Sequence, residues 1–123
     1  MTGTDCFKQA LSLLGYTDTH GVGGVPGGAA LYRHALPVLN QIVADLWYLG
    51  SAEPFSPLKA MGDTVPLSPP VAQTVLPYGV AMLLSQIAGD ADNQTLFAAH
   101  YDQRRSSAAV GGRVQDRLPV CGG

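Results

Sequence analysis

The sequence predicts an all-α fold: a small bundle of about four helices with a long proline-rich connection and a flexible basic C-terminal tail. Apolar residues recur at helical spacing in four segments, and clusters of glycine or proline separate these segments. Apolar residues make up 46% of the 123 residues and charged residues 13%, a composition that argues against disorder. A chain of this length is typical of one domain with a single core.

The first predicted helix covers residues 4–14. Thr4 is its expected N-cap, and Asp5 suits the positive end of the helix dipole. Gly15 follows at the position where a left-handed residue often ends a helix. One apolar stripe runs along this helix, formed by Phe7, Ala10, Leu11 and Leu14.

The second predicted helix covers residues 29–49 and follows a glycine-rich loop at 17–28. Pro37 lies inside it, lacks a backbone donor and clashes with the carbonyl of Arg33. We therefore expect a kink near Arg33 to Leu36, or a short turn before a straight segment that begins at Pro37. The apolar stripe consists of Leu31, Ala35, Val38, Leu39, Ile42, Leu46 and Leu49.

Residues 50–67 form a long connection with three prolines. Phe55, Leu58 and Met61 are expected to fix it to the bundle. A connection of this length in a small domain is usually functional or bound to a partner.

The third predicted helix begins near Ser68 and ends before Gly89. Two prolines occupy its first turn, where missing backbone donors do no harm. Its expected inner face consists of Ala72, Leu76, Val80, Leu83 and Ile87. The apolar surface is widened by Val75, Met82 and Leu84. Such a wide surface indicates either a central helix or a helix whose second face contacts another subunit.

The fourth predicted helix runs from about Asp92 to Ala109, with Asp90 or Asp92 as its cap. Residues 1–109 are therefore expected to form the bundle, and residues 110–123, which lack periodicity, a flexible tail. One face of this helix carries Phe97, His100, Tyr101, Arg104 and Ala108.

Charge is divided unevenly along the chain. Residues 1–103 hold three cationic side chains against eight carboxylates, a net charge of −5, whereas residues 104–123 have a net charge of +3. This division indicates that the tail contacts an acidic partner, or that it is a solvated, frayed terminus. The net charge of −2 for the whole chain predicts no strong attraction to DNA. The basic residues of the tail are Arg104, Arg105, Arg113 and Arg117.

Motifs for catalysis, metal binding or cofactor binding do not emerge from the sequence. Gly23 to Gly28 has the spacing of a phosphate-binding loop, but Ala29 and Ala30 stand where lysine and serine or threonine are required. The two cysteines and three histidines show no paired spacing of a zinc site. Asp90 and Asp92 are explained as helix caps, and Asp102 is a candidate for a surface salt bridge. We therefore predict a protein that is not an enzyme and has no cofactor.

The cysteines, Cys6 and Cys121, are expected to be free thiols in a reducing compartment. The N-terminus lacks the basic and apolar regions of a signal peptide. No window is expected to reach the roughly 18 apolar residues of a membrane span.

Four segments together resemble the small head–tail adaptor (connector) proteins of tailed bacteriophages and prophages. They are ALSLLGY at 10–16, LYRHALPVLNQIVADLW at 31–47, DTVPL at 63–67 and LPYGVAMLLSQIAGDADNQTLFAAHYDQRRSSA at 76–108. In that family a Leu-Gly pair closes the first helix, a "pYGlA" helix follows, and the last helix ends in Tyr-x-x-Arg. These are packing patterns, and their order and spacing make the resemblance.

The resemblance implies a helical bundle that assembles as a ring of about a dozen copies below the portal of the capsid. Such a ring extends the DNA channel and docks the next neck or tail protein, without specific DNA binding and without a membrane. It would belong to the virion and form in the host cytoplasm. In some relatives the C-terminal segment contacts the portal, a role that here maps onto Arg104, Arg105, Arg113, Arg117, Leu118 and Val120. The wide third helix and the long connection are candidates for the subunit interface, through Val75, Met82, Leu84, Phe55 and Leu58.

Two other functions remain open on the sequence. The same bundle could serve as a phage tail-assembly or tail-completion protein. A small DNA-binding regulator could use the arginines of the tail, and its affinity for DNA would fall steeply with salt.

Overall fold

The computed structural model describes residues 1–17, 27–50 and 55–121, with side chains described for 1–17, 27–47 and 55–109. The chain is mostly helical, so the predicted all-α bundle is confirmed. The helices are α1 (Gly3–Leu14), α2 (Gly28–Leu31), α3 (Ala35–Gly50), α4 (Pro69–Thr74), α5 (Leu76–Ala88) and α6 (Ala91–Cys121). Helix α5 contacts every other helix, and its largest interfaces are with α6 and α1. Helix α5 therefore lies at the centre of the bundle.

Helix α1 is capped by Thr2, and the prediction that Thr4 caps it is wrong. The Thr2 hydroxyl accepts from the Asp5 amide at 3.2 Å, and the Asp5 carboxylate accepts from the Thr2 amide at 3.1 Å. The Thr4 hydroxyl instead donates to the Met61 carbonyl at 3.2 Å, across the bundle. At the other end Gly15 has φ 76°, which confirms the predicted left-handed cap.

The long connection is held against α1 and α3. The Asn40 side chain donates to the Leu58 carbonyl at 3.0 Å and accepts from the Leu58 amide at 2.7 Å. Leu58 is buried, and Met61 packs against the core, as predicted for both. The amide of Gly3 donates to the Asp63 carbonyl at 3.1 Å, so the connection also satisfies a donor of the first turn of α1.

Pro37 breaks the second predicted helix in the expected place. Helix α2 ends at Leu31, a 3-10 turn covers Tyr32–His34, and α3 begins at Ala35. Pro37 therefore lies in the first turn of α3, where its missing donor costs little. The tighter turn lets the chain avoid a clash between the proline ring and the carbonyl of Arg33.

The third predicted helix is divided into α4 and α5 at Val75, whose φ is −112°. The expected inner face is correct up to Val80, but Leu83 is only half-buried and Ile87 is 43% exposed. The prediction for Ile87 is wrong because α5 has neighbours on several sides, so one stripe does not describe its buried surface. Its buried residues are Leu76, Pro77, Gly79, Val80, Ala81, Leu84, Ser85 and Ala88.

The stretch Pro69–Ala88 is long and apolar enough to cross a membrane by length and composition alone. This differs from the expectation that no window would pass such a test. Since 61% of the stretch is buried inside the bundle, it is weak evidence for a span, and core helices of soluble proteins pass the same test.

Helix α6 begins after a turn formed by Gly89 and Asp90. Gly89 has φ 78°, and the Asp90 carboxylate accepts from the Asn93 amide at 3.3 Å, so Asp90 is the predicted cap. Phe97 and Tyr101, two of the residues predicted to share one face, are buried. The helix continues to Cys121 and does not end at residue 109 as expected. The division of the chain into a bundle at 1–109 and a tail at 110–123 stays a prediction.

Gly79 lies where α5 is in close contact with both α3 and α6. A Cβ atom at this position would lie 2.7 Å from Cγ2 of Ile42 and 2.7 Å from Cε1 of Tyr101. Real Cβ atoms do not approach other heavy atoms so closely. The absence of a side chain at Gly79 is therefore required for the spacing of these three helices.

Replacing this glycine tests the close contact. We expect Gly79→Ala to lower the free energy of unfolding by about 1–3 kcal/mol, because the added methyl group overpacks the core. The measurement is urea unfolding followed by circular dichroism. The matched control is Gly62→Ala, where an added Cβ meets no atom within 4 Å. Equal stability of the two variants would contradict the packing assigned to Gly79.

Candidate functional site

The candidate site is centred on the arginine pair of α6, Arg104 and Arg105. Arg104 contacts α4 and α5. Its guanidinium carbon lies 3.9 Å from the centroid of the Tyr78 ring. Its Nη1 atom donates to the Thr74 carbonyl at 3.3 Å. The cation–π contact contributes about 0.5–1 kcal/mol at a site of this exposure. Tyr78 in turn packs against Phe97 and His100, with ring centroids 5.8–6.0 Å apart.

Arg105 contacts a different helix. Its Nε atom lies 3.0 Å from Oδ2 of Asp45 on α3, and its Nη2 atom donates to the Asp45 carbonyl at 3.3 Å. The Tyr101 hydroxyl donates to the same carboxylate oxygen. Burial raises the pKa of Tyr101 above its ordinary value, and the hydrogen bond to Asp45 raises it further. Asp45, and not Asp102, is thus the ion-pair partner of Arg105.

These contacts change the interpretation of the basic tail. Arg104 and Arg105 secure α6 to the rest of the bundle, although the side chains of both remain partly exposed. The other residues predicted to contact a partner, Arg113, Arg117, Leu118 and Val120, lie outside the described side chains. Sequence reasoning missed Asp45 and Tyr78, because an exposed aspartate and a tyrosine have no local pattern that indicates such partners.

Two open grooves flank α6. The α4–α6 groove has a volume of about 550 Å³, and its lining includes Pro70, Val71, Thr74, His100, Arg104 and Ala108. The α3–α6 groove has a volume of about 470 Å³, and its lining includes Gln41, Asp45, Met82, Leu83, Tyr101 and Arg105. Both volumes fall in the range of pockets that hold small ligands or short peptide segments.

The five residues predicted for a subunit interface do not share one surface. Val75, Leu84 and Leu58 are buried within the single chain, so their side chains are not available to a neighbouring subunit. Met82 is half-buried and lines the α3–α6 groove. Phe55 is 42% exposed, with its ring centroid 5.4 Å from that of Trp47.

The described part of the chain provides neither a reactive cysteine nor a cluster of metal ligands. Burial raises the pKa of the Cys6 thiol to about 12, so the reactive thiolate is suppressed at neutral pH. Within residues 1–17, 27–47 and 55–109, no three histidine, cysteine or carboxylate side chains cluster as metal ligands do. The glycine loop at 21–28 lies mostly outside the described residues, and so does Cys121 as a side chain.

The hydroxyl of Tyr101 provides a test of the contact between α3 and α6. Tyr101→Phe removes one hydrogen bond from Asp45 and keeps the ring, and we expect the free energy of unfolding to fall by about 1 kcal/mol. Chemical unfolding of the purified protein measures this change. Tyr32→Phe is the control, since Tyr32 is 47% exposed and keeps its ring contact with Phe7. An equal decrease in the free energy of unfolding of the control would contradict the stabilising role assigned to the Tyr101 hydroxyl.

Alkaline pH should destabilise the fold. In the unfolded chain, thiols and phenols lose their protons near about pH 8.5 and 10, whereas the folded protein keeps those of Cys6 and Tyr101 to higher pH. Above about pH 8.5 the folded state therefore binds more protons than the unfolded state, and the free energy of unfolding falls as pH rises. Urea unfolding at pH 7, 9 and 10 measures this decline.

The variant Cys6→Ala separates the contribution of the thiol. It should remove the part of the decline that begins near about pH 8.5 and leave the part that begins near about pH 10. A free energy of unfolding that stays constant from pH 7 to 10 in the unmodified protein would contradict the assigned pKa shifts.

No protein-family model, curated protein or solved structure matches the chain. The candidate site is therefore defined by its own contacts: α6 held on α3 by Arg105 and on α4 and α5 by Arg104, with a groove on either side.

Proposed function

We propose that this chain is a structural head–tail adaptor of a tailed bacteriophage. In this proposal it forms a ring of about a dozen copies below the portal, extends the DNA channel and docks a neck or tail protein. It acts in the virion after assembly in the host cytoplasm, without catalysis. The proposal rests on the resemblance of the sequence to that family and on where the resembling residues lie.

The observation that supports the proposal most directly is that two separate motifs form one contact. Tyr78 and Gly79 belong to the "pYGlA" pattern, whereas Tyr101 and Arg104 belong to the Tyr-x-x-Arg pattern. Arg104 stacks on Tyr78, and Tyr101 lies against Gly79. Residues that identify the resemblance are therefore the residues that join α5 to α6. Such a joint contact favours a shared packing arrangement over a chance match of two short motifs.

The dimensions of α6 fit a role in reaching a partner. It has 31 residues and so spans about 46 Å, whereas α5 beside it has 13 residues and spans about 20 Å. Its C-terminal part contains Arg113 and Arg117. We propose that this part contacts the portal, since Arg104 and Arg105 already have partners within the bundle.

The charge of the bundle also fits a channel through which DNA moves. Asp45 neutralises Arg105, and residues 1–103 have a net charge of −5. DNA binding requires lysine or arginine side chains that replace counterions at the phosphates. A bundle with this charge would allow DNA to slide. The same observation weighs against a DNA-binding regulator that relies on the arginine pair.

Co-sedimentation with portal rings of the same phage tests the proposal. We expect the purified full-length chain to sediment with the portal, and deletion of residues 110–123 to weaken this binding by at least about tenfold. The double variant Arg113→Gln/Arg117→Gln should weaken it as well, because a hydrogen bond to a charged group typically contributes about 1.5–3 kcal/mol. The matched control Arg33→Gln/Lys59→Gln also removes two positive charges, both from exposed positions, and should bind normally.

Several outcomes would reject the adaptor proposal. Failure to sediment with the portal at both low and moderate salt is the first. Capture of a tail-tube or tape-measure protein in place of the portal would favour the tail-assembly function. DNA affinity that falls steeply with salt in a gel-shift titration would favour the regulator.

A further inference from the structure

The two neighbouring arginines differ in their electrostatic surroundings. Arg105 forms an ion pair with Asp45. Arg104 is held only by neutral groups, the Tyr78 ring and the Thr74 carbonyl, and no described carboxylate lies within ion-pair distance of it. Arg104 therefore keeps an uncompensated positive charge at a fixed position.

The groove beside Arg104 has the matching chemical character. Among the residues whose side chains the structure describes, its lining includes no carboxylate, whereas the α3–α6 groove contains Asp45. Pro70, Val71 and Ala108 supply apolar surface, and His100, Gln103 and Ser107 supply neutral polar groups. With a volume of about 550 Å³, the groove can hold a short peptide segment.

We propose that the α4–α6 groove is a docking site for a protein segment that presents a carboxylate next to a small apolar side chain. A guanidinium has five N–H donors in a fork that matches a carboxylate, and only one donor of Arg104 has a partner within the described chain. The stacking on Tyr78 holds the fork in place before binding, which reduces the entropy lost on association. The apolar side chain of the segment packs against Val71 and Ala108. This site is independent of portal binding through residues 110–123.

Nuclear magnetic resonance on the ¹⁵N-labelled full chain tests the proposal. The protein is titrated to millimolar concentrations with the blocked tripeptide acetyl-Ala-Asp-Val-amide, and separately with the same peptide containing Asn in place of Asp. We expect saturable shifts of the amide signals of His100, Gln103, Arg104 and Ser107 with the Asp peptide. The Asn peptide should bind at least about tenfold more weakly, because it cannot form a charge-assisted pair with Arg104.

Variants distinguish the role of Arg104 from a general effect of charge. Arg104→Gln should abolish the shifts, whereas Arg33→Gln removes the same charge from an exposed position outside the groove and should leave them unchanged. Ser107→Tyr fills the groove from an exposed position without altering Arg104 and should also block binding. This variant keeps the test decisive if Arg104→Gln does not fold.

Three results would overturn the proposal. The first is equal binding of the Asp and Asn peptides, and the second is unchanged binding by Ser107→Tyr. The third is a concentration-dependent shift of the same amide signals without peptide, which would identify a second copy of the chain as the occupant. Failure of portal binding would leave the groove proposal unaffected, and loss of peptide binding would leave the portal proposal unaffected.

Discussion

The arrangement of this bundle depends on the close approach of three helices at Gly79. Because Gly79 has no side chain, α5 can lie directly against Ile42 of α3 and Tyr101 of α6. This spacing brings the Tyr101 hydroxyl to Asp45, and it lets Arg105, one turn further along α6, reach the same carboxylate. Apolar packing at one point thus determines which polar groups meet at the surface of the bundle.

The polar contacts that follow give orientation more than stability. The Asp45–Arg105 pair is 47% and 38% exposed on its two side chains, and a pair of this kind contributes less than about 1 kcal/mol. What it does is hold α6 at one rotation relative to α3, while Arg104 holds the same helix on α4 and α5. The outer surface of α6 and the direction of its C-terminal part are consequences of these two anchors.

The arginine pair also shows why charge along a sequence does not translate directly into a binding surface. In the sequence Arg104 and Arg105 begin a C-terminal segment with a net charge of +3. In the structure Arg105 is neutralised and Arg104 is not, so adjacent residues of identical type have different capacities to bind an anion. The proposed division of function follows from this difference: Arg105 is structural, Arg104 faces a groove, and the arginines after residue 109 remain for a larger partner.

Local physical chemistry was sufficient to predict much of the fold. The left-handed cap at Gly15 and the break before Pro37 each depend on neighbours within a few residues, and both were predicted correctly. Asp90 was one of the two caps expected for α6, and Gly89 was expected to turn the chain. The predictions for Thr4 and Ile87 were wrong because the surroundings of these residues are set by the long connection and by the several neighbours of α5. The division of the third predicted helix at Val75 and the continuation of α6 to Cys121 were not predicted either. The candidate site was the least predictable part, because Asp45 and Arg105 are 60 residues apart in the sequence. The sequence by itself determined which segments are helical, because apolar spacing and local caps depend on near neighbours. Only the tertiary structure decided which charges are paired, since pairing depends on how closely the helices pack.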